Sequence, residues 1–135
     1  MEQKEFMTME NAETLVNEIM ASNGYIVLNK KVVRIFGLEA SAILGELTAK
    51  SKYFKDRGEL TDDGYFYSTV DALEENTSIK EKKQRQILNE LKAQEIIDVA
   101  VRGLPAKRFI KVNYEKLFFA LVCTKEAESL ENKGI

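Results

Sequence analysis

Three observations predict an α+β, mostly helical fold: a winged helix-turn-helix with an extra amino-terminal amphipathic helix and a two-stranded wing. Between Ser68 and Asn113, a short helix, a tight turn, a basic helix opening at Ser78 and two strands joined through Gly103-Leu104-Pro105 follow one another. With 135 residues and 44% hydrophobic content, the chain can bury one core. Its charge is also unevenly spread. Residues 78–113 carry nine cations against four carboxylates, a local +5 in a chain whose formal net charge is −2. A basic surface is thus concealed by an acidic remainder, as expected where one face approaches phosphates.

The expected organisation is a flexible start over 1–9, one domain over 10–122 and a flexible tail over 123–135, with the helix-turn-helix at 68–94 and the wing at 96–113. In the first segment of the domain, Ala12, Leu15, Val16, Ile19 and Met20 recur at helical spacing, so an amphipathic helix spans about 10–22. Asn23-Gly24 marks a turn, and Tyr25 to Leu28 is a β-prone run. Asn29 caps a brief helix ending near Gly37. A second amphipathic helix over about 39–53 turns Ala40, Ile43, Leu44 and Leu47 to the core. Lys55 to Gly64 is a polar loop whose acidic residues do not have calcium-loop spacing.

Tyr65-Phe66-Tyr67 reads as a short aromatic strand, and Ser68 or Thr69 opens a helix that buries Val70 and Leu73. Ser78 followed by Glu81 matches a capping box, in which Glu81 returns a hydrogen bond to the Ser78 amide. This places the next helix at about 79–94. Its buried direction is set by Ile87, Leu88 and Leu91, and Lys82, Arg85, Gln86 and Asn89 lie opposite at i, i+3, i+4 and i+7. Side chains of these types match guanine and adenine edges in a major groove. Lys80 and Lys83 lie to the sides, suited to phosphates. The plain alternative is that any amphipathic helix shows a polar outer face.

Ile96 to Val101 and Phe109 to Val112 read as strands, with Arg102, Lys107 and Arg108 around the turn between them. A basic hairpin beside a basic helix can clamp a nucleic-acid backbone or enter the minor groove. Asn113 caps a last helix carrying Leu117, Phe118 and Leu121.

Several classes of function are disfavoured. No apolar run approaches the roughly 18 residues that span a bilayer, and the charged first residues are unlike a signal peptide, so a cytoplasmic protein with no membrane partner is expected. Cys123 is the one cysteine and there is no histidine, which excludes an internal disulfide, a Cys/His zinc site and His-based catalysis. No metal or cofactor is expected. An enzyme is not expected either, since the adjacent carboxylates Asp62-Asp63 and Glu74-Glu75 point apart and lack a helper group.

The stretch Thr77-Ser78-Ile79, then Lys83 through Leu91, Ile96-Ile97, Gly103 to Phe109 and Lys111-Val112-Asn113 resembles the winged-helix domains of Gram-positive phage and plasmid replication proteins. DnaD-type primosome and replisome-organiser proteins are the nearest group, and the likeness covers about residues 25–115. The resemblance implies that the helix with Lys82, Arg85, Gln86 and Asn89 reads DNA and that the wing with Arg102, Lys107 and Arg108 grips its backbone. It also implies self-association through the amino-terminal segment. Two departures stand out. Glu95 occupies the position where the family usually has glycine, at a cost on the order of 1 kcal/mol in a left-handed cap, which favours a different helix end. The sequence also stops where many relatives continue into a second helical domain, so helicase loading is not implied.

The expected partner is double-stranded DNA, in replication initiation or its control, with a homodimer and a replisome protein as further partners. A transcriptional regulator and a protein-interaction or dimerisation module on the same scaffold remain alternatives.

Overall fold

The computed structural model describes residues 9–21 and 24–122. Most of the expected flexible start, Asn23 of the turn signal and the expected tail with Cys123 lie outside the described residues. In chain order the elements are α1 (Met9–Met20), α2 (Lys30–Phe36), α3 (Leu38–Asp56), β1 (Phe66–Tyr67), α4 (Val70–Thr77), α5 (Glu81–Ala93), β2 (Ile97–Arg102), β3 (Lys107–Val112) and α6 (Tyr114–Val122). The architecture is α+β and mostly helical, a helix-turn-helix followed by a small antiparallel sheet, as the sequence predicts.

α3 is the spine of the domain. Its Ile43, Leu44 and Leu47 are buried, and it packs against α2, α4, α5, β1 and β3. Leu73 of α4, Ile87, Leu88 and Leu91 of α5, and Ile97, Ile110 and Val112 of the sheet complete the core. Leu117 returns α6 to it. Asn29 accepts the amides of Lys31 and Val32, Thr69 that of Ala72, and Asn113 that of Lys116, so three helices begin at short polar caps.

The sheet order is β1-β3-β2, so the wing has three strands where two are expected from sequence. β1 joins because Phe66 pairs with Ile110 and is buried, while the Ser68 amide extends the ladder by donating to the Arg108 carbonyl. Two apolar residues in register on one face hold a strand too short to persist alone. Tyr25 to Leu28, by contrast, forms no strand and is exposed. β-propensity expresses fit to a pleated, half-buried surface, and these residues meet no sheet edge.

The start of α5 differs from the capping box. Ser78 sits at φ 61° in the left-handed region and ends α4, its amide donating to the Glu74 carbonyl at 2.7 Å. An N-cap needs extended backbone, so one residue cannot close α4 and open α5. Lys80, at φ −78° and ψ 164°, takes that place without a side-chain cap, and Glu81 binds Arg85 instead. Gln84 then locks the turn. Fully buried, its amide nitrogen donates to the carbonyls of Ile79 at 2.7 Å and Val70 at 3.0 Å, which ties α5 to the first turn of α4. Both partners are acceptors, so the side-chain orientation is fixed. The signal was present in the sequence: Gln84 stands at i of the i, i+3, i+4, i+7 stripe with Ile87, Leu88 and Leu91.

α5 ends as a glycine would end it, despite Glu95. At φ 62°, the Glu95 amide donates to Lys92 and the Ile96 amide to Leu91, a complete Schellman pair closed by the buried Leu91 and Ile96. Glu95→Gly is therefore expected to stabilise the domain by about 1 kcal/mol, read as a raised urea midpoint. Loss of the exposed Lys116–Glu95 ion pair at 3.0 Å subtracts only a few tenths at most. An unchanged or lowered midpoint would contradict the strain.

Candidate nucleic-acid interface

α5 is anchored on its inner side by Gln84, Ile87, Leu88 and Leu91, so its period carries Lys82, Arg85, Gln86 and Asn89 to the outer side, where all four are exposed. Lys80 is also exposed at the helix start. The structure thus places the four side chains on one accessible stripe. Their contacts are local: Arg85 donates to Glu81 at 2.9 Å and Gln86 to Glu90 at 3.3 Å. Lys83 lies within 3.7 Å of the Glu39 carboxylate on α3. Exposed pairs of this kind are worth about 1 kcal/mol or less, so a polyanion can displace them.

The three wing cations separate. Strand alternation turns Arg108, with Ile110 and Val112, to the inner face of β3, and Lys107, Phe109 and Lys111 to the outer face. Arg108 is half-buried, and donates to the Ser68 carbonyl at 3.2 Å and to the Ser68 hydroxyl at 3.4 Å. Burial pushes its guanidinium below the ordinary arginine value, but a guanidinium remains charged. It lines one groove together with Arg85, Asn89 and Lys92 of α5, above Val70, Leu88 and Val99 and beside Glu81. The exposed α5 stripe and the sheet therefore converge at Arg108. Lys92 joins the site from outside the sequence-derived set, and Ser68 acts as the hook that aims Arg108.

Arg102 lies elsewhere. Its guanidinium makes two hydrogen bonds to Asp63, at 2.6 and 3.2 Å, and covers the Tyr65 ring at 4.5 Å. On the outer face it sits opposite Lys107, whose ammonium is 5.5 Å from the Tyr67 ring centre. The turn itself, Gly103 to Ala106, presents Leu104 fully to solvent.

Hydrogen bonds from Arg102, then from Thr61, hold the Asp63 carboxyl well below the usual carboxylate range. A lowered folded-state value means stabilisation that is fully present above the unfolded value near 4 and is lost progressively as pH falls from there through the folded one. Asp63 is accordingly expected to stay ionised at pH 3 in a carboxyl-detected NMR titration, and to return to ordinary behaviour in Arg102→Ala. A normal midpoint in the unsubstituted protein would remove the clamp. Nearby, the Tyr65 hydroxyl donates to Asp98, which, with partial burial, raises the phenol above its ordinary value.

Among the described residues no group of three or more His, Cys, Asp or Glu side chains converges as a metal site requires. No described helix is long and apolar enough to cross a membrane. No protein-family model and no curated protein matches this chain. A solved structure described as the N-terminal domain of a DNA-binding protein is similar at 15% identity, over 84% of this chain and 89% of that one, with a TM-score of 0.49. Likeness at that level carries no argument about function.

Proposed function

We propose that this domain binds double-stranded DNA, with α5 in the major groove and the β2–β3 wing against the adjoining backbone. One observation carries the reading: Arg85, Asn89 and Lys92 of α5 and Arg108 of β3 line a single groove, and Lys82 and Gln86 extend it along the exposed stripe. Arg85, Gln86 and Asn89 have the forked donors and acceptors that read base edges, while Lys80, Lys82, Lys83, Lys92 and Arg108 supply phosphate contacts. The side chains suit recognition rather than bond breaking. The resemblance to DnaD-type and replisome-organiser domains favours replication initiation or its control in a phage or mobile element, within the cytoplasm. Control of transcription uses the same geometry.

Duplex binding at two salt concentrations tests the reading. Five phosphate contacts predict about a 500-fold loss of affinity between 50 and 200 mM salt. A folded protein with no affinity for duplex DNA at about 50 mM salt would overturn the proposal.

A second reading, self-association, rests on α1. Leu15, Val16 and Met20 are exposed, and α1 packs extensively on no other described element. An amphipathic helix gains most of its stability by burying its apolar stripe, which a second copy or a replisome protein would provide. Light scattering is expected to give a dimer that Leu15→Asp with Val16→Asp reduces to a monomer. A monomer at every concentration before substitution would exclude the homodimer.

A further inference from the structure

From the outer face of the sheet, we infer a second nucleic-acid site, specific for single strands and separate from the α5 groove. Three rings are set into this face. Tyr67 and Phe109 are neighbours, with centroids 5.8 Å apart and planes tilted by 44°, and Tyr65 precedes β1 on the same side. Tyr67 is 46% exposed. Three cations are interleaved with them. Arg102 lies over Tyr65 at 4.5 Å and over Phe109 at 5.9 Å, Lys107 over Tyr67 at 5.5 Å, and Lys111 over Tyr65 at 5.8 Å.

A sheet surface that faces water ordinarily carries small polar residues, and rings there cost exposed apolar area. What rings and cations in alternation recognise is a chain with alternating flat bases and anionic phosphates, in a single strand whose bases are free to stack. The charge favours this occupant over an acidic or apolar protein surface. Of the carboxylates on and beside the face, Asp63 is neutralised by Arg102, Asp98 accepts the Tyr65 hydroxyl and lies opposite Lys111, and Glu95, which with Glu115 borders the cleft next to Tyr65 and Lys111, pairs with Lys116. Among the described residues neither Lys107 nor Lys111 has an ion-pair partner. An exposed cation–ring contact is weaker than a base on an aromatic ring, so an arriving base displaces the ammonium from the Tyr67 ring onto a phosphate.

The two sites lie on opposite faces of the same three strands. Val99 and Arg108 face the α5 groove, and Tyr67, Phe109 and Lys111 face away from it. A duplex and a single strand can therefore be held at once, as at a junction between them.

The test measures binding of the full chain to a labelled oligothymidylate of about 15 nucleotides and, separately, to a blunt duplex. The unsubstituted protein is expected to bind both. Tyr67→Ala should weaken oligothymidylate binding about tenfold, with Tyr67→Phe restoring it and duplex binding unchanged. Lys111→Ala should reduce the salt slope for the single strand by about 0.7. Arg85→Ala should weaken the duplex alone. Absence of oligothymidylate binding by folded protein, equal binding by Tyr67→Ala, or parallel loss of both ligands in Arg85→Ala would each overturn the second site. Failure of duplex binding with single-strand binding intact would instead overturn the proposed function and leave this one standing.

Discussion

Phe66→Ala is expected to destabilise the domain by about 3–5 kcal/mol, against about 1 kcal/mol or less for Tyr67→Ala next to it. Phe66 is 1% exposed, stacks on Phe54 with centroids 6.0 Å apart, and pairs with the fully buried Ile110. Truncating it empties the junction between α3 and the sheet, and little there can collapse into the space. Tyr67 points to the outer face and leaves no void. Urea denaturation of the two variants checks the prediction. Because side chains in a strand alternate, a register one residue off would invert the result, so a larger loss in Tyr67→Ala would refute the placement of β1. The expected Phe66 loss is a large part of the 5–15 kcal/mol typical of a domain, so that variant should be near its folding limit.

Arg85→Ala is expected to relax base preference in duplex binding by about 1–3 kcal/mol, which is roughly a 5- to 150-fold loss on the preferred sequence. Arg85 faces solvent from the middle of the α5 stripe, and its present partner is Glu81, an exposed residue one turn earlier. Releasing that pair costs less than a forked contact to guanine returns. Lys80→Ala, at the exposed start of α5, should behave differently, weakening all duplex sequences alike and lowering the salt slope by about 0.9. Competition with random-sequence duplex separates the two effects. Equal losses on every sequence in Arg85→Ala would assign that residue to phosphate and move base reading to Gln86 or Asn89.

The helices were legible because their signals are local. Asn29, Thr69 and Asn113 each cap the helix that follows, as short polar residues do, and the stripe of Ile87, Leu88 and Leu91 correctly sets which side of α5 faces out. Ser78 misled for an equally local reason. Its capping-box spacing to Glu81 is sound, but the turn between two closely packed helices requires left-handed backbone there, and closure of α4 prevailed. Glu95 shows the same hierarchy, since the buried Leu91–Ile96 contact imposes a left-handed backbone on a residue that disfavours it.

The sequence by itself determined the succession of elements, the exposed face of α5 and the concentration of cations in residues 78–113. Each depends on spacing within a few residues, and the helical period converts such spacing directly into direction. Only the tertiary structure decided the fate of the wing cations and the third strand. Arg102 is taken by Asp63, 39 residues away, and Arg108 by Ser68, 40 residues away, once β1 pairs with β3. Those partners meet through space, where strand register and alternation sort side chains to opposite faces, and no local pattern specifies which distant residue will be waiting there.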